Sequence, residues 1–182
     1  ARLLNVHGVT SLWQEQAMSE TDQIELLQNV PIFGGMKRDT LAFLLDTGSR
    51  AAFSRGSYLC QQDDPADDFY VLESGRVAIL KRWQGEDYLL RRLETGDCLG
   101  EMALIDYFPR SASAVAETDC SVLCFSSKTL MGLYERDLEQ FALIQMNLAR
   151  ELSLRHAGDL LFETRTRAEV SDDRILYSVP PS

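Results

Sequence analysis

The sequence predicts an α+β fold, an antiparallel β-barrel or jelly roll flanked by N-terminal helices and a long C-terminal helix. Two observations carry this expectation. Between residues 50 and 126 the chain breaks into short alternating or β-rich runs separated by turn residues, the spacing of an antiparallel sandwich or barrel. On either side, apolar residues recur three and four apart, the period of a helix packed on one face.

Taken in order, residues 1–18 read as a helix or an arm, and both remain open. "SETDQIELLQNVPIF" reads as a short helix capped by Ser19 or Thr21, with Ile24, Leu26 and Leu27 apolar and Pro31 as the stop. "KRDTLAFLLDTG" is a second helix ending at Gly48. Strands follow at "AAFS", "YLCQ", "DFYVLES", "RVAILKRW", "DYLLRRL", "SASAVA" and "SVLCFS". The segment "GEMALI" interrupts them as a short helix, since Glu, Met, Ala and Leu favour it. "SSKTLMGLYERD" and "LEQFALIQMNLARELSLRHAGDLLFE" are the closing helices, with Gly158 a point where the second breaks. Leu138, Phe141, Gln145, Leu148, Leu152, Arg155, Asp159 and Phe162 alternate by three and four along it. The early half of that seam is apolar enough to pack on a partner helix, giving a homodimer, or to pack on its own barrel. The domain is therefore expected over 19–162, with 163–182 a tail in which "RILYSV" resembles an added strand.

Composition narrows the function. With 45% apolar and 25% charged residues, the chain is a globular protein. No apolar run approaches the roughly 20 residues of a bilayer span, and the N-terminus has no continuous apolar core of a signal peptide. A cytoplasmic protein with no membrane partner is expected. The net charge of −10 opposes direct nucleic-acid binding, which needs a basic face. Four cysteines, at 60, 98, 120 and 124, all fall in strand-like segments and read as buried structural thiols. With no CxxC and only His7 and His156, no metal site, cofactor or catalytic centre is expected. The cluster Asp63, Asp64, Asp67 and Asp68 lacks EF-hand spacing and reads as a solvated acidic turn.

One stretch stands apart. In "GEMALIDYFPRSASA", residues 100–114, Glu101 and Arg110 sit among apolar neighbours, and charges are rarely buried without partners. Gly100 opens a short helix whose N–H groups suit an anion, and without a Cβ it allows close approach. Arg110 offers a planar charged fork for phosphate oxygens, and Ser111 one more hydrogen bond. Glu101 would repel phosphate and suits a sugar hydroxyl instead. Together these groups call for a phosphorylated sugar.

"LGEMALIDYFPRSASAVA" resembles the phosphate-binding cassette of cyclic nucleotide-binding domains, with Leu99, Gly100, Glu101, Ala103, Leu104, Arg110, Ser111 and Ala112 at the pattern positions. Upstream, "CQQDDPADDFYVLESG" resembles a second family pattern, with Asp63 where a turn glycine is usual. Asp tolerates the left-handed conformation better than most residues. The resemblance covers residues 20–160. It implies that Arg110 grips the exocyclic phosphate, Glu101 accepts the ribose 2′-hydroxyl, Gly100 and Met102 line the sugar-phosphate, and Ser111 reaches the phosphate. Ala103 and Ala112 complete the expected ligand-binding set. The alternative is a Glu101–Arg110 pair in a domain that has lost its ligand.

Arg-Ser-Ala is similar to the cassette of bacterial catabolite activators, which respond to cyclic AMP, so cyclic AMP is favoured over cyclic GMP and a bacterial source is expected. An ungapped comparison places Arg155 and His156 where those activators contact adenine. A regulatory sensor results, with ligand binding coupled to movement of the C-terminal helix. A ligand-free interaction or scaffold module is one alternative. The other is the sensor half of a transcription regulator truncated before its helix-turn-helix.

Overall fold

The computed structural model describes residues 2–3, 18–104 and 108–168, with side chains for 18–102 and 108–153. Strand β1 (Arg2–Leu3) precedes helices α1 (Glu20–Asn29) and α2 (Arg38–Thr47), joined through a 3-10 turn at Pro31–Phe33. Eight antiparallel strands follow: β2 (Ser49–Phe53), β3 (Tyr58–Cys60), β4 (Asp68–Ser74), β5 (Val77–Trp83), β6 (Glu86–Leu93), β7 (Cys98–Leu99), β8 (Ser113–Ala116) and β9 (Cys120–Ser126). Helices α3 (Ser127–Arg136) and α4 (Leu138–Ala168) close the described chain. The strands form two sheets, ordered β1-β2-β9-β4-β7 and β3-β8-β5-β6. This is the expected α+β jelly roll.

Local chemistry sets the helix ends. Ser19 caps α1 through a reciprocal capping box with Asp22, which decides between Ser19 and Thr21. Gly48 ends α2 with its N–H on the Leu44 carbonyl. Ser126 caps α3 by accepting from the Thr129 N–H.

Two apolar layers hold the fold. Alternation along β4 sends Phe69 and Val71 toward the helices and Tyr70 and Leu72 toward the second sheet. In the helix-side layer, the Phe33, Phe69 and Phe125 rings meet with centroids 5.3–6.1 Å apart. Cys120 and Cys124 share the inter-sheet layer. All four cysteines are thiols, and all but Cys60 are buried. Burial pushes the Cys124 thiol up to about 12, which leaves it a poor nucleophile at neutral pH.

One polar cluster ties α1 to the barrel, and another ties α4 to the segment between α1 and α2. Glu73, buried in β4, accepts from Arg50 Nε at 2.5 Å, Arg50 Nη2 at 2.8 Å, Ser121 Oγ at 2.6 Å and Gln23 Nε2 at 2.7 Å. A buried carboxylate is tolerated when its lone pairs are met in this way. On α4, Asn147 Nδ2 donates to the Ile32 and Gly34 carbonyls at 3.0 and 2.9 Å. Gln140 Oε1 accepts from the Lys37 N–H at 2.8 Å.

Several expectations change. "GEMALI" forms a 3-10 turn at Glu101–Leu104 instead of an α-helix. Strands β1 and β7 went unread, since two residues show no period. Helix α4 continues through Gly158 to Ala168, because one helical glycine costs only about 1 kcal/mol. The expected seam along α4 is not uniformly open to a partner. Leu148 is fully buried in the helix-side core, whereas Leu138 is 62% exposed. The four-residue turn at Gln61–Asp64 survives without glycine, with Asp63 at φ 70°.

That conformation generates a test. Asp63→Val, β-branched in the left-handed region, is expected to lower unfolding stability by about 1–2 kcal/mol. Asp63→Gly is expected not to lower it. Chemical denaturation of the two variants measures the difference.

Candidate functional site

Three chain segments converge on Arg110. Strand β7 pairs with β4 through Tyr70↔Leu99, which brings Gly100 and the following 3-10 turn beside the start of β4. From the other side, the β3–β4 turn clamps the backbone of Arg110. The Asp63 N–H donates to the Arg110 carbonyl at 2.8 Å, and the Arg110 N–H donates to the Asp64 carbonyl at 2.9 Å. The upstream motif therefore holds the cassette arginine in place through main-chain bonds, and its side-chain charges do not take part in them.

The guanidinium is 7% exposed. Its Nη2 donates to Asp68 Oδ1 at 2.5 Å, and its Cζ stands 5.4 Å from the Tyr70 ring centroid, a cation–π distance. Nη1 lies 3.5 Å from the Gly100 carbonyl oxygen. Among the described residues, Nε is buried with no hydrogen-bond partner. Burial first, then the Asp68 charge, pushes the Tyr70 phenol well above its usual range, so it stays protonated.

The ion partner of Arg110 is thus Asp68, not Glu101. In the acidic turn Asp63, Asp64 and Asp67 are exposed, whereas Asp68 is half-buried. Asp64 Oδ2 accepts from the Gln61 N–H at 2.8 Å, Asp67 accepts from Ser127, and Asp68 belongs to the site. Asp68, Tyr70 and Leu72 share a face of β4, and Tyr70 and Leu72 line the inter-sheet layer, but the unbroken apolar run 69–72 hides that alternation in the sequence.

Of the other expected residues, Glu101, Met102, Ser111 and Ala112 lie next to Gly100 and Arg110 in the chain. Glu101 opens the 3-10 turn and is buried at 3% exposure. Met102 is half-buried behind it, and the side chain of Ala103 lies outside the described residues. Ser111 is exposed and Ala112 half-buried, at the entry to β8. Arg155 and His156 lie on α4, but their side chains are outside the described residues. The assembly is a permanently charged donor with an unused N–H, an exposed hydroxyl and a buried carboxylate. Those groups suit an anion and a hydroxyl on one small molecule. Among the described residues, no group of His, Cys, Asp or Glu could hold a metal ion, and no helix is long and apolar enough to cross a membrane.

Gly100 is required by contact as well as by conformation. Its φ is 83°, and a Cβ there would run into Arg110 Nη1 and reach the Arg110 Cζ and the Asp68 carbonyl oxygen at 3.2 Å. Gly100→Ala is expected to lower stability by more than about 1 kcal/mol, read as a drop in melting temperature.

Comparison with known proteins gives a consistent picture. Residues 50–137 match the family profile of the cyclic nucleotide-binding domain. The cAMP-dependent protein kinase regulatory subunit of Aspergillus niger is 35% identical over 112 residues, covering 62% of this chain and 26% of that protein. The human cGMP-dependent protein kinase 2 is 28% identical over 149 residues, covering 79% of this chain and 19% of that protein. The chain thus spans about a quarter or less of these curated relatives. The crystal structure of the Thermus thermophilus catabolite activator protein superposes with a TM-score of 0.66 at 29% identity, covering 75% of this chain and 63% of that one. Fungal, animal and bacterial relatives occur together, so the likeness does not support the bacterial source expected from the cassette. Through residues 50–137 the chain belongs to the cyclic nucleotide-binding domain family.

Proposed function

We propose that this domain binds cyclic AMP, in preference to cyclic GMP, and couples that binding to movement of α4. The observation that carries the reading is the Nε of Arg110, a buried charged donor without a hydrogen-bond partner among the described residues. Leaving such a donor unmet costs roughly 1–3 kcal/mol or more, and a phosphate oxygen would satisfy it. In this reading Arg110 and Ser111 take the exocyclic phosphate, and Glu101 accepts the ribose 2′-hydroxyl. The backbone at Gly100 and Met102 lines the sugar-phosphate, with Ala103 and Ala112 leaving room for it. The likeness to the cAMP-dependent kinase regulatory subunit of Aspergillus niger supports cyclic AMP. The cGMP-dependent kinases among the relatives keep cyclic GMP as the alternative ligand. Coupling requires that two positions of α4 bind ligand with different affinity.

Thermal melting tests the reading. At a hundredfold excess over Kd, a ligand that binds only the native state adds about 2.7 kcal/mol, or about 5–10 °C for a chain of this size. Arg110→Lys keeps the charge but loses the planar fork, and is expected to cut affinity at least about tenfold. No shift with millimolar cyclic AMP or cyclic GMP would sink the proposal and favour a ligand-free interaction module.

A second element concerns assembly. Leu138, Ala142, Met146 and Ala149 form an exposed row of small or apolar side chains on α4, with Leu138 and Met146 62% and 65% exposed. We infer that this row, and not the one containing Leu148, packs against a second copy in a homodimer. Sedimentation should show a dimer for the wild type and a monomer for Met146→Glu. A monomeric wild type overturns the assembly but leaves the ligand reading intact.

A further inference from the structure

Strand β5 alternates between two environments. Val77 and Ile79 pack in the inter-sheet layer, whereas Ala78 and Leu80 pack with Val115 on the opposite face. Continued alternation puts half-buried Lys81 on the inward row, so two aliphatic residues are followed there by a charge. The β5–β8 pairing stops at Leu80↔Ser113. Lys81 therefore stands at the point where the ladder gives way to Arg110, Ser111 and Ala112.

Among the described residues its ammonium forms no ion pair with a carboxylate. Lys81 Nζ donates to the carbonyl oxygen of Ser111 at 2.6 Å, a short charge-assisted bond to the residue next to the buried arginine. In a trans peptide, the carbonyl of Ser111 and the N–H of Ala112 point in opposite directions. Fixing one fixes the other.

We propose that Lys81 is a positioning residue of the anion site, holding the Ser111 carbonyl so that the Ala112 N–H faces the phosphate received by Arg110. The proposal rests on the cyclic nucleotide reading above. It divides the work between two cations. Arg110 grips the anion, while Lys81 sets the peptide that offers it a backbone donor. An ammonium carries three donors, and its charge also adds attraction for an anionic ligand. Because this role centres on the phosphate, both cyclic nucleotides should feel its loss equally.

Titration calorimetry of the full chain with cyclic AMP and cyclic GMP tests this on three proteins: wild type, Lys81→Met and Lys81→Arg. Lys81→Met, similar in length but without a donor, is expected to raise Kd about tenfold for both nucleotides. Lys81→Arg should return Kd to within about threefold of wild type. The melting temperature of ligand-free Lys81→Met should stay within about 2 °C of wild type, as for other substitutions outside the core. Four results would overturn the proposal: unchanged binding by Lys81→Met, no rescue by Lys81→Arg, a melting loss larger than that, or a loss confined to one nucleotide. If the wild type binds and Lys81→Met binds equally well, only the role of Lys81 fails. If the wild type binds neither nucleotide, the nucleotide reading fails and takes this proposal with it.

Discussion

A guanidinium that cannot shed its charge lies almost fully buried where the cassette meets β4, and much of the local architecture exists to make that tolerable. Burial of a guanidinium must be offset by partners. The partners come from separate stretches of chain: Asp68 and Tyr70 from β4, the Gly100 carbonyl after β7, and the backbone of Asp63 and Asp64 from the β3–β4 turn. The missing Cβ of Gly100 gives the guanidinium its room. Because these segments are distant in sequence, the arginine brings them together as effectively as an apolar cluster would. What sets it apart is that its Nε has no hydrogen-bond partner among the described residues.

This arrangement also explains which parts could be read from sequence. Helix ends were legible because their signals are local: a serine cap for α1 and a glycine stop for α2 depend on a few neighbours. The long strands were legible through their turns. Strand β7 was not, since its two residues carry no periodicity and its existence depends on pairing with β4. Glu101, Arg110 and Ser111 were recognisable as a constellation because charges in an apolar frame conflict with ordinary burial. Asp68 was hidden by its apolar neighbours. Phe69, Tyr70, Val71 and Leu72 are all buried because β4 lies between two layers, so the alternation that would have aimed Asp68 inward is masked. The same limit applied to Lys81, whose partner is a backbone oxygen that no composition or motif announces.

The acidic turn shows how one sequence cluster divides in three dimensions. Asp63 contributes a backbone shape, Asp64 a main-chain bond to Arg110 and a local cap, Asp67 a contact to the start of α3, and Asp68 a counter-charge. Reading the four as one solvated group fitted their composition, but their positions along the turn give each a different task.

The buried amides on α4 have a mechanical consequence. Gln140 and Asn147 lie two helical turns apart on one face, and both are bolted to the 30–37 segment, with Ile144 and Leu148 wedged between and beyond them. The opening turns of α4 and that segment therefore form one stiff beam. A rotation of the helix must either carry the Pro31–Gly34 corner with it or bend downstream of Leu148. The fulcrum of any switch in this domain is set by two neutral side chains that take no part in the hydrogen bonds of Arg110.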